Sequence, residues 1–311
     1  MSDRGEVISV NISKLKGTTK EAVPEVLIDE RGVTGDAHAG PWHRQVSLLG
    51  VESLDRFAQR TGRTVRAGEF AENITLRGID LARVAVLDRF VSGEVQLEVT
   101  QIGKACHGTG CAIFQAVGEC AMPKEGIFCR VLHGGHLRVG APIVREPRTL
   151  RCLTVTLSDR ASRGEYPDRS GPRAQELLRQ LGASLPWPVS VDSLLLPDDA
   201  GRLRAELLAA RDRGIDVVLT LGSTGAGPRD IAPETVAGVC EKQIPGIMEA
   251  IRAKYGAENP RALLSCGIVG LAGRTLVYTL PGSVKAVDEY LAEIARTLKH
   301  LVLMVHGIDA H

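Results

Sequence analysis

Two periodicities divide the chain. In the first half the apolar positions come in short bursts between turn-rich patches: residues 6–13 (EVISVNIS), 25–28 (EVLI), 74–76 (ITL), 83–87 (RVAVL), 95–102 (VQLEVTQI), 127–132 (IFCRVL) and 142–144. Runs of this kind, bounded by glycine and polar clusters, predict strands. One segment breaks the pattern, because Val51, Leu54 and Phe57 recur at helical spacing and predict a helix over 51–59. Several short strands with one helix predict a mainly β, barrel-like domain.

Beyond the charged, proline-containing segment at 145–149 the pattern changes. Apolar runs at 152–158, 189–196, 215–222 and 275–280 read as strands, and the stretches at 172–181, 200–213, after Pro233, 246–254 and 284–305 read as helices. Strands alternating with helices predict an α/β domain whose mostly parallel sheet carries helices on both faces. The expected domains are 1–147 and 148–311.

Composition narrows the partners. The 311 residues suffice for two cores. With 38 Lys and Arg against 37 Asp and Glu, the net charge of +1 implies no basic face, so neither nucleic acid nor a membrane surface is an expected partner. No apolar run approaches the roughly 18 residues of a spanning helix, and no signal-peptide core opens the chain, so a cytoplasmic protein is expected. Its seven cysteines, an odd number without a secretory signal, are expected to be reduced thiols.

Candidate chemistry collects at the predicted strand ends of the second half. In LTLGSTGAGPRDIAPET (219–235) a strand opens into Gly222, Ser223, Thr224 and Gly225, passes Asp230, and enters a helix near Pro233. A strand, a glycine-rich turn and a helix start in that order suit a phosphate, and the aspartate adds a magnesium ligand. Ser158 and Asp159, Asp168, Asp198 with Asp199, and Pro281-Gly282-Ser283 follow other predicted strands. Ligands of such sheets bind at the carboxyl ends of the strands. Each aspartate taken alone reads equally well as a helix N-cap or an Asx turn.

Four of the seven cysteines, Cys106, Cys111, Cys120 and Cys129, fall in one short segment with His107. Their spacing lacks the two close ligand pairs of a zinc knuckle, which leaves zinc as one reading among others. Cys129, in an apolar strand, suits a buried thiol. Cys106, between Lys104 and His107 just past a strand end, suits a reactive thiolate.

In order, SDRASRGEYPDRSGP, LLPDDA, VVLTLGSTGAGPRDIAPET, IPGIMEAIR and LPGSVKAV resemble the molybdopterin adenylyltransferase (MogA/MoaB-like) family of molybdenum cofactor biosynthesis, over about residues 150–305. The resemblance implies magnesium-dependent transfer of AMP from ATP to molybdopterin. It also implies Asp198 and Asp230 as catalytic and metal-holding residues, Ser158, Asp159, Gly222, Ser223, Thr224, Gly225, Pro281, Gly282 and Ser283 as the binding cleft, and a homotrimer or a multiple of one. Two positions depart from the family: its second loop glycine is Ser223 here, and an arginine after the serine of LSR is Cys266.

The first half resembles a MOSC domain, related to the C-terminal part of molybdenum cofactor sulfurases, through GDAHAG (35–40), GEFAENIT (68–75), the cysteine after VTQIGKA and GIFCRVLHGGHLRVGAPI (126–143). That resemblance implies Cys106 as the residue that carries sulfur or engages the cofactor, and places Asp36, His38, Glu69 and Asn73 in family motifs. A sulfur donor or molybdoenzymes are implied partners. The alternative is a carrier or insertion protein that binds the cofactor without turning over ATP.

Overall fold

The computed structural model describes residues 3–105 and 120–308, so Cys106, His107 and Cys111 lie outside the described residues. The chain divides into two compact units, Met1–Arg148 and Thr149–His311.

In the first unit the strands are β1 (Arg4–Ile12), β2 (Glu21–Val23), β3 (Glu25–Asp29), β4 (Gly32–Val33), β5 (Val46–Gly50), β6 (Ile74–Arg77), β7 (Arg89–Ser92), β8 (Val95–Ile102), β9 (Ile127–His133), β10 (Gly135–Arg138) and β11 (Pro142–Glu146). Among the described residues an eight-stranded sheet runs β11-β7-β8-β9-β5-β6-β1-β2 and closes by pairing β1 with β11, Arg4 opposite Val144. Closure removes the sheet edges of the barrel proper. Val7, Val10, Leu48, Ile74, Leu76 and Val99 belong to its interior. A satellite core of Leu49, Leu54, Phe57, Phe70, Met122 and Phe128 lies under the helix Val51–Thr61, which presents Leu54 and Phe57 to it.

The expected strand at 83–87 is not formed. Leu81–Arg83 is a single 3-10 turn capped by the Asp80 carboxylate, and Leu87 sits at φ 76°, which a strand cannot accommodate. The apolar residues there are buried as parts of a turn, and pairing resumes only at β7. Strand β5 was not read from the sequence, because its five residues run without a turn signal into the helix that begins at Val51.

The second unit holds β12 (Leu150–Leu157), β13 (Val189–Leu196), β14 (Val217–Leu221), β15 (Lys242–Gln243), β16 (Val269–Ala272) and β17 (Thr275–Leu280) in the order β13-β12-β14-β17-β16-β15. The first four are mutually parallel, whereas β16 and β15 extend the sheet antiparallel. Helices Ala200–Asp212 and Ala232–Ala237 pack Leu203, Leu207 and Val236 against Leu153, Val155 and Val218. On the other face, helices Ser170–Gly182 and Val284–Val305 lie together, tied by Arg173 Nε donating to Asp288 Oδ1 at 2.6 Å. Among the described residues no helix is long and apolar enough to cross a membrane.

Candidate functional site

Parallel pairing places the carboxyl ends of β12, β13, β14 and β17 on one edge of the sheet. Ser158 and Asp159, Asp198, residues 222–230, and Pro281 to Ser283 follow those ends directly. Gly222 is at φ 104°, and a Cβ there would lie 2.6 Å from the Leu157 carbonyl oxygen. Its amide donates to the Leu280 carbonyl at 2.9 Å. A Cβ on Gly282 would stand 3.2 Å from Gly222 Cα. Glycine at these positions lets three loops close on one another.

Ser223 also has a left-handed backbone, at φ 55°. Its hydroxyl accepts from the Ile231 amide at 2.9 Å and donates to the Arg229 carbonyl at 3.1 Å, while its carbonyl accepts from the Ala232 amide. The residue thus clasps the base of the loop. Inside the loop, Asp230 Oδ2 accepts from the Gly227 amide at 2.9 Å, and Gly225 makes room for the carboxylate, since a Cβ there would be 2.7 Å from the same oxygen.

Asp159 and Asp198 hold each other. The Asp159 amide donates to Asp198 Oδ2 at 3.2 Å, and the Asp198 amide to Asp159 Oδ1 at 3.1 Å. Helix capping falls to the neighbour Asp199, which accepts from the Arg202 amide at 2.9 Å. Asp168 is likewise structural: its two oxygens take Thr156 Oγ1, Ser170 Oγ and the Gly171 amide, starting the helix Ser170–Gly182.

The single cleft expected from the sequence is two cavities, each of about 320 Å³. One is lined by Ser158, Asp159, Asp198, Ser223 and Asp230; the other by Thr224, Gly225, Pro281 and Ser283. Ser223 and Thr224 are adjacent, so this stretch of the loop contributes to both. Gly222 and Gly282 line neither cavity and form the packed join described above.

Cationic side chains accompany both cavities, and the sequence did not single most of them out. Arg160 and Arg229 line the first, Arg261 and Lys285 the second. Ser158 Oγ also meets Tyr166 Oη at 2.9 Å, and Arg160 lies 4.9 Å from that ring. Lys285, beside Ser283 at a predicted helix start, is readable in the sequence as a contact for an anion; arginines are frequent on loops, and nothing in their spacing marks the other three. Cys266 is exposed, and its amide donates to the Thr224 carbonyl at 2.8 Å.

Magnesium fits the first cavity. Asp159, Asp198 and Asp230 each keep one carboxylate oxygen with no hydrogen-bond partner among the described residues. Hard oxygen donors are what Mg²⁺ takes, usually from one or two carboxylates together with substrate phosphates. Among the described residues no three Asp, Glu, His or Cys side chains are gathered closely enough to hold a metal by themselves. The ion would therefore share its ligands with a bound phosphate.

In the barrel unit Asp36 and Lys20 form a buried ion pair. Burial alone would raise the Asp36 carboxyl, but hydrogen bonds from His38 and Lys20 and the ammonium charge hold it well below the usual carboxylate range. His38 Nδ1 lies 3.3 Å from Lys20 Nζ. Glu69 is half-buried and paired with Arg66 at 3.1 Å. Asn73 Oδ1 takes Ser47 Oγ and amide, and its Nδ2 donates to the Asn11 carbonyl. The buried acid of GEFAENIT is Glu72, unremarked in the sequence, whose carboxyl is raised by burial and opposed by bonds from Gly68 and Thr75. Cys129 is fully buried in the barrel and its thiol is pushed far up by desolvation. The expected nucleophile Cys106 lies outside the described residues.

A mostly parallel sheet with acidic and glycine-rich loops converging at the carboxyl ends of its strands defines an α/β protein whose ligand site lies at that edge. Comparison with known proteins gives the family. Residues 153–300 match the family described as "Probable molybdopterin binding domain", and residues 35–144 match the MOSC domain. The chain is 32% identical over 161 residues to the molybdopterin adenylyltransferase of Helicobacter pylori strain J99, covering 51% of this chain and 90% of that protein. It is 32% identical over 163 residues to the Escherichia coli K12 molybdopterin adenylyltransferase, covering 52% and 81%. A solved structure described as "anomalous substructure of MogA" shares 35% identity over 50% of this chain and 99% of that one, with a TM-score of 0.47. The chain belongs to the MogA/MoaB-like molybdopterin adenylyltransferase family through its second unit, to which a MOSC domain is fused on the N-terminal side.

Proposed function

We propose that the protein acts in molybdenum cofactor biosynthesis and that its second unit is a molybdopterin adenylyltransferase. The terminal phosphate of molybdopterin attacks the α-phosphorus of ATP; the new P–O bond forms as the bond to the β-phosphate oxygen breaks, and pyrophosphate leaves. Magnesium, when bound, neutralises phosphate charge. Asp198 and Asp230 would hold it from two different strand ends, with Asp159 keeping Asp198 in place. Arg160 and Arg229 face the same cavity and suit developing charge on the phosphate oxygens. Thr224 and Gly225 would bring backbone close to a phosphate in the second cavity, which Pro281 and Ser283 also line, while Gly222 and Gly282 form the packed join that holds these loops together.

The observation that carries this reading is the arrival of Asp198 and Asp230 in one cavity, each with a carboxylate oxygen unengaged. The relatives named molybdopterin adenylyltransferase support it. The test is pyrophosphate release from molybdopterin, ATP and Mg²⁺. Asp198→Asn and Asp230→Asn should each slow release by about 100-fold or more at unchanged thermal stability. Wild-type rates in both would show that these are not the metal ligands.

A non-catalytic carrier is the competing reading, motivated by Ser223 and Cys266. Against it, Cys266 still anchors the loop through its amide, and Arg261 and Lys285 keep the second cavity cationic. Pterin binding with no pyrophosphate release would establish the carrier. For the barrel unit the proposed role is to bind the cofactor or carry its sulfur on Cys106, with a sulfur donor or molybdoenzyme as partner. A homotrimer is the proposed assembly.

A further inference from the structure

The second cavity at the strand ends has three charged side chains in its lining, Arg261, Lys285 and Glu289. Lys285 Nζ and Glu289 Oε1 lie 3.5 Å apart, one turn along the last helix, so their charges cancel locally. Arg261 is exposed, and its guanidinium has no acidic partner among the described residues. The lining therefore carries one uncompensated positive charge, and Arg261 holds it. Its backbone is fixed: Asn259 Oδ1 accepts from the Arg261 amide at 3.2 Å and starts the short 3-10 helix Pro260–Leu264. The residues that follow are held as well. Arg252 Nη1 donates to the Ser265 carbonyl at 3.3 Å and the Gly267 carbonyl at 2.8 Å, while the Cys266 amide ties this segment to Thr224. Arg261 and Ser265 line the same cavity, and Cys266, where the family has an arginine, comes directly after Ser265.

We infer that Arg261 is a substrate-binding residue that supplies the cationic contact missing at 266, pairing with an anionic group of molybdopterin in the second cavity. The charge has moved five positions back along one rigid segment and keeps the planar fork that suits a phosphate or carboxylate-like partner. ATP is the less suitable occupant. Three carboxylates that can share magnesium, together with Arg160 and Arg229, line the first cavity and meet the needs of a triphosphate there. Apart from its charged trio the second cavity is neutral, with Ala262, Leu264, Pro281 and Ala286 as apolar wall, which suits a ring system with one anionic end. The inference deepens the adenylyltransferase reading of the second unit and rests on it for the identity of the ligand.

The test measures binding of molybdopterin and of ATP with Mg²⁺ to the full-length protein by calorimetry, beside pyrophosphate release. Arg261→Gln should raise Kd and KM for molybdopterin about tenfold and leave those for ATP within about twofold. Arg261 is exposed and glutamine keeps the amide that Asn259 holds, so the fold is undisturbed. Cys266→Arg in the Arg261→Gln background should recover most of the lost affinity. Arg274→Gln makes the same charge change just before β17, at the opposite end of that strand, and should alter neither ligand. A molybdopterin Kd unmoved by Arg261→Gln, or moved equally by Arg274→Gln, would overturn the contact, and absence of rescue by Cys266→Arg would overturn the exchange of positions. A larger change for ATP than for molybdopterin would give the cavity to the nucleotide and overturn the assignment. Wild-type protein that binds molybdopterin without releasing pyrophosphate would remove the enzymatic reading, and the binding constants would still decide for or against Arg261. Wild-type protein that does not bind molybdopterin would overturn both.

Discussion

Ser223 combines strain and restraint in one residue. A left-handed non-glycine residue costs on the order of 1 kcal/mol, and two side-chain hydrogen bonds of about 1 kcal/mol each offset it. Ser223→Ala keeps the strain and removes both bonds, so it should destabilise the second unit by about 1–3 kcal/mol. Ser223→Gly removes both strain and bonds and should change stability by less than about 1 kcal/mol. Thermal melts of the two variants test this order. Both should lower kcat more than they raise KM for ATP, because the loop that carries Asp230 loses its clasp. The departure at 223 was readable in the sequence; that its hydroxyl closes the loop was not, since Arg229 and Ile231 become partners only once the loop has folded back. Asp168 shows the opposite case. It sits after a strand like Asp198, and only its hydrogen bonds reveal it as a cap.

Adjacent aspartates at the end of β13 hold different partners, Asp198 the Asp159 amide and Asp199 the start of the next helix. Asp199→Ala removes the cap of the helix Ala200–Asp212 and should cost about 1 kcal/mol in a denaturant melt while leaving pyrophosphate release within a few-fold of wild type. Asp198→Asn should do the reverse. Elements bounded on both sides by turn signals were legible: 95–102, 189–196, 275–280 and 284–305 coincide with β8, β13, β17 and the last helix. Where such bounds were missing or the element was brief, the reading failed. Five-residue β5 runs straight into the helix at Val51, two-residue β15 is too short to show a period, and 83–87 is apolar because a turn there is buried.

For the molecule as a whole, buried ionisable groups set the response to pH and to thiol reagents. The Glu72 carboxyl is raised by burial in the fold, so the folded state binds its proton more tightly than the unfolded chain. Its contribution to stability is complete below the unfolded value and is lost as pH rises through the folded one. Glu72→Gln should therefore gain stability relative to wild type as pH increases from 4 to 7, and melting curves across that range would show it; a constant difference would mean that Glu72 does not titrate there. Burial pushes Cys152 up to about 12 and Cys240 up to about 11, with Cys129 higher still, whereas Cys266 is exposed. Mass spectrometry after alkylation at pH 8 should find Cys266 modified first among the described cysteines, and Cys129 and Cys152 only on unfolding.

Closure of the barrel also has a consequence in time. Residues 4–6 of β1 find their partners at 142–144, so the ring cannot shut until nearly the whole unit is available. During synthesis the first strand must wait for β11 to emerge, and such long-range closure folds slowly compared with local contacts. In refolding from denaturant, the environment of Trp42 should settle more slowly than that of Trp187, giving the two halves of the chain separate clocks.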